Sequence, residues 1–212
     1  MKINKALSPA TAMLAIIVAT FPLLAILKLP LAHGAVVQVI EDAQSVWLLF
    51  GAIFTWCYMK PLTLPSRQKV FWCWATVWWM VLLGRGISWG RDFFPEVNKI
   101  YFRTISVVLI GTLLLMLLIP ALRKDIATRF KYQSIPLWTV LLMVVSFLIS
   151  DTIEHHRLLS PLFIRDRQYQ DLLEELYELP FMLCLFSVAY DIMRLDKKLH
   201  RKERLALIES YH

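Results

Sequence analysis

The sequence predicts an all-α polytopic membrane protein, a bundle of six transmembrane helices with both termini in the cytoplasm. Three observations carry this reading. Hydrophobic side chains make up 58% of the 212 residues and charged ones only 18%, too apolar a balance for a soluble domain of this size. Six apolar runs reach about 20 residues, the length that crosses a hydrocarbon layer ~30 Å thick, and breaks rich in proline and charge separate them. The lysines and arginines concentrate in alternate breaks.

Taken in order, the first helix is predicted over 9–29, after Met1-Lys2-Ile3-Asn4-Lys5 and before Leu29-Pro30. This start has the outline of a signal peptide, with small residues at Ala32 to Ala35. Its apolar run is long for a signal sequence and contains Pro22, so a retained helix is expected. The second helix spans 35–59 and stops at Lys60-Pro61, and the third spans 69–90 before Phe94-Pro95. The fourth covers 103–122, where Pro120, Arg123 and Lys124 close it. The fifth runs over 135–156, ahead of Ser160-Pro161, and the sixth over 170–194. Residues 195–212 read as a basic cytoplasmic tail, and 1–212 as a single integral membrane domain.

Orientation follows from the cations. With the N-terminus in the cytoplasm, the inner segments hold 15 of the 23 lysines and arginines and the outer segments 8, which the positive-inside rule favours. Acidic residues contribute little to orientation, so their placement is separate information. Of the 16, 11 fall on the outer side.

A net charge of +7 would suggest nucleic acid in a soluble chain. Here the cations flank apolar runs, where they set topology and meet anionic membrane lipids, so no nucleic-acid partner is expected. Cys57, Cys73 and Cys184 stand alone inside apolar stretches, which excludes a CxxC redox motif and a cysteine-rich zinc site.

Four polar stripes interrupt the apolar helices at i, i+3, i+4 and i+7 spacing, so each occupies one helix face. They are Gln38, Glu41, Asp42 and Ser45; Arg85, Ser88, Trp89 and Asp92; Asp151, Glu154 and His155; and Asp171, Glu174, Glu175 and Glu178. The predicted topology brings all four to the outer face. Charges at bilayer depth are expensive, so such groups face protein or a wet cavity.

The acids of the sixth helix invite a cation, because clustered carboxylates must share protons, metal ions or arginines. The positive N-terminal end of that helix accounts for Asp171 without any ligand, but Glu178 lies about two turns deeper. Pro180 removes an amide hydrogen beside them and leaves the Leu176 carbonyl without its usual helical partner. Asp151, Glu154 and His155 combine carboxylate and imidazole, a donor set suited to zinc, iron or manganese. No HExxH motif and no duplicated ExxH motif accompanies them. The bland reading of Arg85 is an ion pair with a carboxylate of another helix, Glu41 being a plausible partner. The functional one is that Arg85 and Arg91 grip an anionic group. Gly86 and Gly90 have the spacing of a close helix contact.

Ile87-Ser88-Trp89-Gly90-Arg91 resembles a run found in a group of bacterial multi-pass membrane proteins with no assigned activity, although Gly86 stands where that group has an acid. The resemblance implies a membrane protein and no particular chemistry, and a bacterial inner (cytoplasmic) membrane is the expected location.

Helices two, three, five and six are therefore expected to enclose an outward-facing, acid-rich cavity, with helices one and four at the periphery. In an enzyme, Asp151, His155, Glu175 and Glu178 would hold a divalent metal and Glu41 or Glu154 would act as general base. Arg85, Arg91, Asp92 and Trp89 would bind a lipid-linked or small anionic substrate. In a transporter the same carboxylates would relay protons or metal. In an assembly protein they would only lock helices together. The inner halves of these helices are almost wholly apolar, which favours a one-sided site.

Overall fold

The computed structural model describes residues 2–28, 30–31, 34–91, 93–155 and 166–209, with side chains described up to Leu199. Seven α-helices lie among the described residues. They are α1 (Pro9–Ile26), α2 (Ala35–Met59), α3 (Ser66–Gly86), α4 (Lys99–Met116), α5 (Pro120–Tyr132), α6 (Leu137–Glu154) and α7 (Gln170–Glu209). Five segments are long and apolar enough to cross a membrane: Pro9–Ile26, Ala35–Thr63, Lys99–Met116, Leu137–Glu154 and Arg167–Leu199. Helix α3 is 21 residues long but carries Trp72, Trp74, Trp78 and Trp79 and charged residues near both ends, which lowers its hydropathy.

Local chemistry sets the ends. The Ser8 hydroxyl accepts from the Thr11 amide and Pro9 occupies the first turn, so α1 begins with a satisfied cap. Asn98 caps α4 by accepting from the Ile100 amide. Helix α2 stops because Lys60 adopts a left-handed conformation, φ 49°, and its N–H returns to the Trp56 carbonyl.

Two boundaries differ from the sequence reading. The predicted helix 103–122 starts earlier and ends at Met116, and Pro120 opens a separate helix, α5, since proline is favoured in a first turn. The predicted basic tail is helical to Glu209: α7 has 40 residues and continues past Pro180. At 1.5 Å per residue it is about 60 Å long, twice the hydrocarbon thickness.

The helices pack so that their ends form two polar districts. At one, a two-stranded parallel pair joins β1 (Lys2–Asn4) to β2 (Ser134–Pro136), and the Trp138 indole N–H donates to the Lys5 carbonyl. The chain preceding α1 and the chain preceding α6 therefore lie together. At the other, Phe21 of α1 meets Tyr177 of α7 edge-on, ring centroids 5.3 Å apart, over buried Ile153, Leu172 and Leu173. Helix α1 adds one face to this cluster through Val18, Phe21 and Ala25 and leaves Met13, Ile16 and Leu23 exposed on its outer side. Its Thr11 hydroxyl also bonds the Thr139 hydroxyl of α6, 2.9 Å away. Helix α4 does lie outside, touching α3 and leaving Val107, Val108, Leu114 and Leu115 exposed.

Two glycines permit close approach. A Cβ on Gly51 would meet the Trp79 ring at 2.9 Å, and one on Gly84 the Trp89 ring at 2.5 Å. Gly86 and Gly90 do not have this role. A Cβ on Gly86 would make only an ordinary contact with Leu48 Cδ1, 3.8 Å away, and Gly90, at φ 95°, serves the backbone of a 3-10 turn over Ser88–Gly90.

Candidate functional site

The acid-rich end is built mainly where α6 lies along α7. Helical spacing puts Asp151, Glu154 and His155 on the last turn of α6, with one donor atom from each within 4.8 Å of the others. His155 Nδ1 stands 3.5 Å from an Asp151 carboxylate oxygen and 3.6 Å from one of Glu154. Two ligands each about 2.1 Å from a tetrahedral ion are roughly 3.4 Å apart, so these separations suit a shared metal ion. They equally suit an imidazolium between two carboxylates.

The trio sits at the rim. The side chains of His155 and Glu154 are 52% and 40% exposed, against 21% for Asp151. Below it the field of the α7 acids takes over. Glu154 interacts electrostatically with Glu174 and Glu178, and Glu41 of α2 with Glu174 and Glu175, so three helices contribute to one negative region. Glu178 accepts a hydrogen bond from the buried Ser150 hydroxyl and lies within electrostatic reach of Arg85. The Gln44 amide donates both to the Glu175 side chain and, at 2.9 Å, to its backbone carbonyl, tying α2 to α7.

The sequence-predicted residues thus divide. The structure brings Asp151, Glu154 and His155 together, and Glu154, expected as a general base, stands among the potential ligands. Glu175 and Glu178, expected as ligands, are held by Gln44 and Ser150 and lie outside the converging trio. Arg85 is exposed at the end of α3 and faces Glu178 electrostatically. Trp89 covers Gly84, its backbone in the left-handed region at φ 62°, so its ring closes the end of α3. Arg91 is exposed beside it. Asp92 lies outside the described residues.

No family model matches this chain, and no curated protein or solved structure does either.

A second polar cluster, buried and fully hydrogen-bonded through Arg129, lies at the opposite end, where none was expected. Arg129 of α5 donates through Nη1 to Asp196 Oδ1 at 3.0 Å and through Nη2 to Oδ2 at 2.8 Å, and through Nε to Asp125 at 2.7 Å. The Trp72 indole donates to Asp196 Oδ2 at 2.9 Å, and the guanidinium lies 3.9 Å from the Phe71 ring centroid. The Asp125 bond orients the guanidinium within α5, and the bonds to Asp196 cross between helices, as in a structural joint. The one sequence signal was Asp125 four residues before Arg129, both beside apolar Leu122 and Ile126.

Proposed function

We propose that this chain is a six-span protein of a bacterial inner membrane, termini in the cytoplasm, that binds a divalent cation at its outward-facing acid-rich end. The observation that carries the reading is the convergence of Asp151, Glu154 and His155 on one helix turn, backed by Glu41, Glu174 and Glu178 from two other helices. Three protein ligands leave a position open on a four-coordinate ion, the arrangement that catalytic zinc sites use. Arg85 and Arg91, on the same end, suit the phosphate of a lipid-linked substrate. Arg85 counters part of the acidic field through Glu178. The basic end, with Lys60, Arg67, Lys69, Arg123, Lys124 and Lys131 exposed, fits the cytoplasmic face.

The experiment is metal titration of the purified protein with Zn²⁺ and Mn²⁺, beside His155→Ala and Glu154→Gln. Stoichiometric binding by the wild type that either variant weakens supports the reading. A wild type that binds neither ion removes it.

A transporter is the second reading, and Ser146 favours it. Its hydroxyl lies fully buried one turn below Ser150 without a hydrogen-bond partner, extending the polar face of α6 inward. Further along α6, the Thr139 hydroxyl is already bonded to Thr11, so the polar line narrows before the far end. Vesicle uptake separates the two readings: a one-sided site binds the ion without moving it.

A further inference from the structure

At the basic end, away from the acids, Trp56, Cys57, Lys60, Pro61, Leu62 and Thr63 line a groove of about 370 Å³. It lies at the end of the Ala35–Thr63 span, the depth at which lipid chains give way to headgroups. Its walls are chiefly hydrocarbon and ring. Trp56 and Leu62 remain 41% and 64% exposed, so the groove opens on the surface of the bundle and is not filled by another helix.

The cation at its edge is held by an unusual backbone. Lys60 is in the left-handed region at φ 49°, uncommon for a residue other than glycine. Its N–H is spent on the Trp56 carbonyl, and its own carbonyl accepts from both the amide and the hydroxyl of Thr63. The turn thus fixes Lys60 where the apolar wall ends. Among the described residues no acidic side chain forms an ion pair with its ammonium group. At the same end of the bundle, Asp125 and Asp196 are both committed to Arg129. A second cation, Lys197 of α7, lies over the ring of the neighbouring Tyr58, 5.6 Å from its centroid. Apolar walls at membrane depth capped by unpaired positive charge are complementary to one chemistry, an amphiphile with an anionic head.

We propose that this groove is a binding site for an anionic phospholipid, its acyl chain against Trp56, Cys57 and Leu62 and its phosphate on Lys60. The site is independent of the cation site at the other end and needs only that the chain span a bilayer.

Tryptophan quenching by brominated lipid tests it. The protein is reconstituted into equimolar phosphatidylglycerol and phosphatidylcholine vesicles, with bromine on the acyl chains of one lipid or of the other. Quenching by both lipids reports insertion of the exposed tryptophans. The proposal requires stronger quenching when phosphatidylglycerol carries the bromine, and loss of that excess in Trp56→Phe. Lys60→Gln should lower the preference about fivefold, the worth of one lysine at an anionic surface, and Lys60→Arg should keep it. Equal quenching by the two lipids, or an excess that survives Trp56→Phe, overturns the site. If inorganic phosphate abolishes the excess while sodium chloride of equal ionic strength does not, the groove takes free phosphate and the lipid assignment fails. Circular dichroism of each variant checks that it is folded, and both substituted side chains are exposed.

Discussion

Arg129 and Asp196 face each other fork to fork, Nη1 to Oδ1 at 3.0 Å and Nη2 to Oδ2 at 2.8 Å, with side chains only 9% and 7% exposed. The pair fastens short helix α5 to the far part of α7, and the Trp72 indole adds α3. Breaking one side of a buried pair leaves an uncompensated charge. Asp196→Asn and Arg129→Met should each cost roughly 3–5 kcal/mol, whereas the double variant Arg129→Met/Asp196→Leu should cost less than either. Unfolding of the detergent-solubilised protein measures this. Single variants as stable as the wild type would mean that the joint carries no load.

Gly84 and Trp89 form a second joint. Because an added Cβ would stand 2.5 Å from the indole, Gly84→Ala should destabilise by about 1–3 kcal/mol through overpacking. Most of that penalty should vanish in a Trp89→Ala background. Gly86→Ala is the control, since its nearest neighbour is Leu48 Cδ1 at 3.8 Å, and it should be nearly neutral. Equal costs for the two glycines would refute the distinction.

Thr11 and Thr139 join α1 to α6 through a buried hydroxyl pair. In a double-mutant cycle with Thr11→Val and Thr139→Val, the coupling should be about 0.6 kcal/mol, the mean for hydrogen bonds between membrane helices. A coupling indistinguishable from zero would show that the two hydroxyls find other partners.

These joints also mark what the sequence could and could not reveal. The acidic stripes were legible because Asp151, Glu154, Glu174 and Glu178 obey helical spacing inside apolar runs, and charges in such places are rare. Their assembly at one end followed from helix order alone. Arg129 and Asp196 were hidden by their 67-residue separation and by the cations around them, which made each read as part of a soluble basic segment. Pro120 reads equally as the end of one helix or the start of the next, and this ambiguity conceals α5 in the sequence. The glycines show the same limit. Spacing selected Gly86 and Gly90, but only the position of the opposing indoles identifies Gly51 and Gly84 as the close contacts.

Within the acidic end, the division of labour between α6 and α7 is itself testable. Glu178 is engaged by Ser150 and faces Arg85, so Glu178→Gln should weaken cation binding only through the lost field. Glu154→Gln removes a potential ligand and should weaken it far more, by at least tenfold over Glu178→Gln. Calorimetric titration of both variants with Zn²⁺ compares them. The reverse order would move the site onto α7.

The central claim is that Asp151, Glu154 and His155 hold one cation. Its most direct measurement is elemental analysis of the wild-type protein, loaded with Zn²⁺ and desalted, beside the triple variant Asp151→Asn/Glu154→Gln/His155→Ala. The account predicts about one ion per chain in the wild type, from the one trio among the described residues, and none in the variant. Equal metal in the two proteins, or none in either, would contradict it.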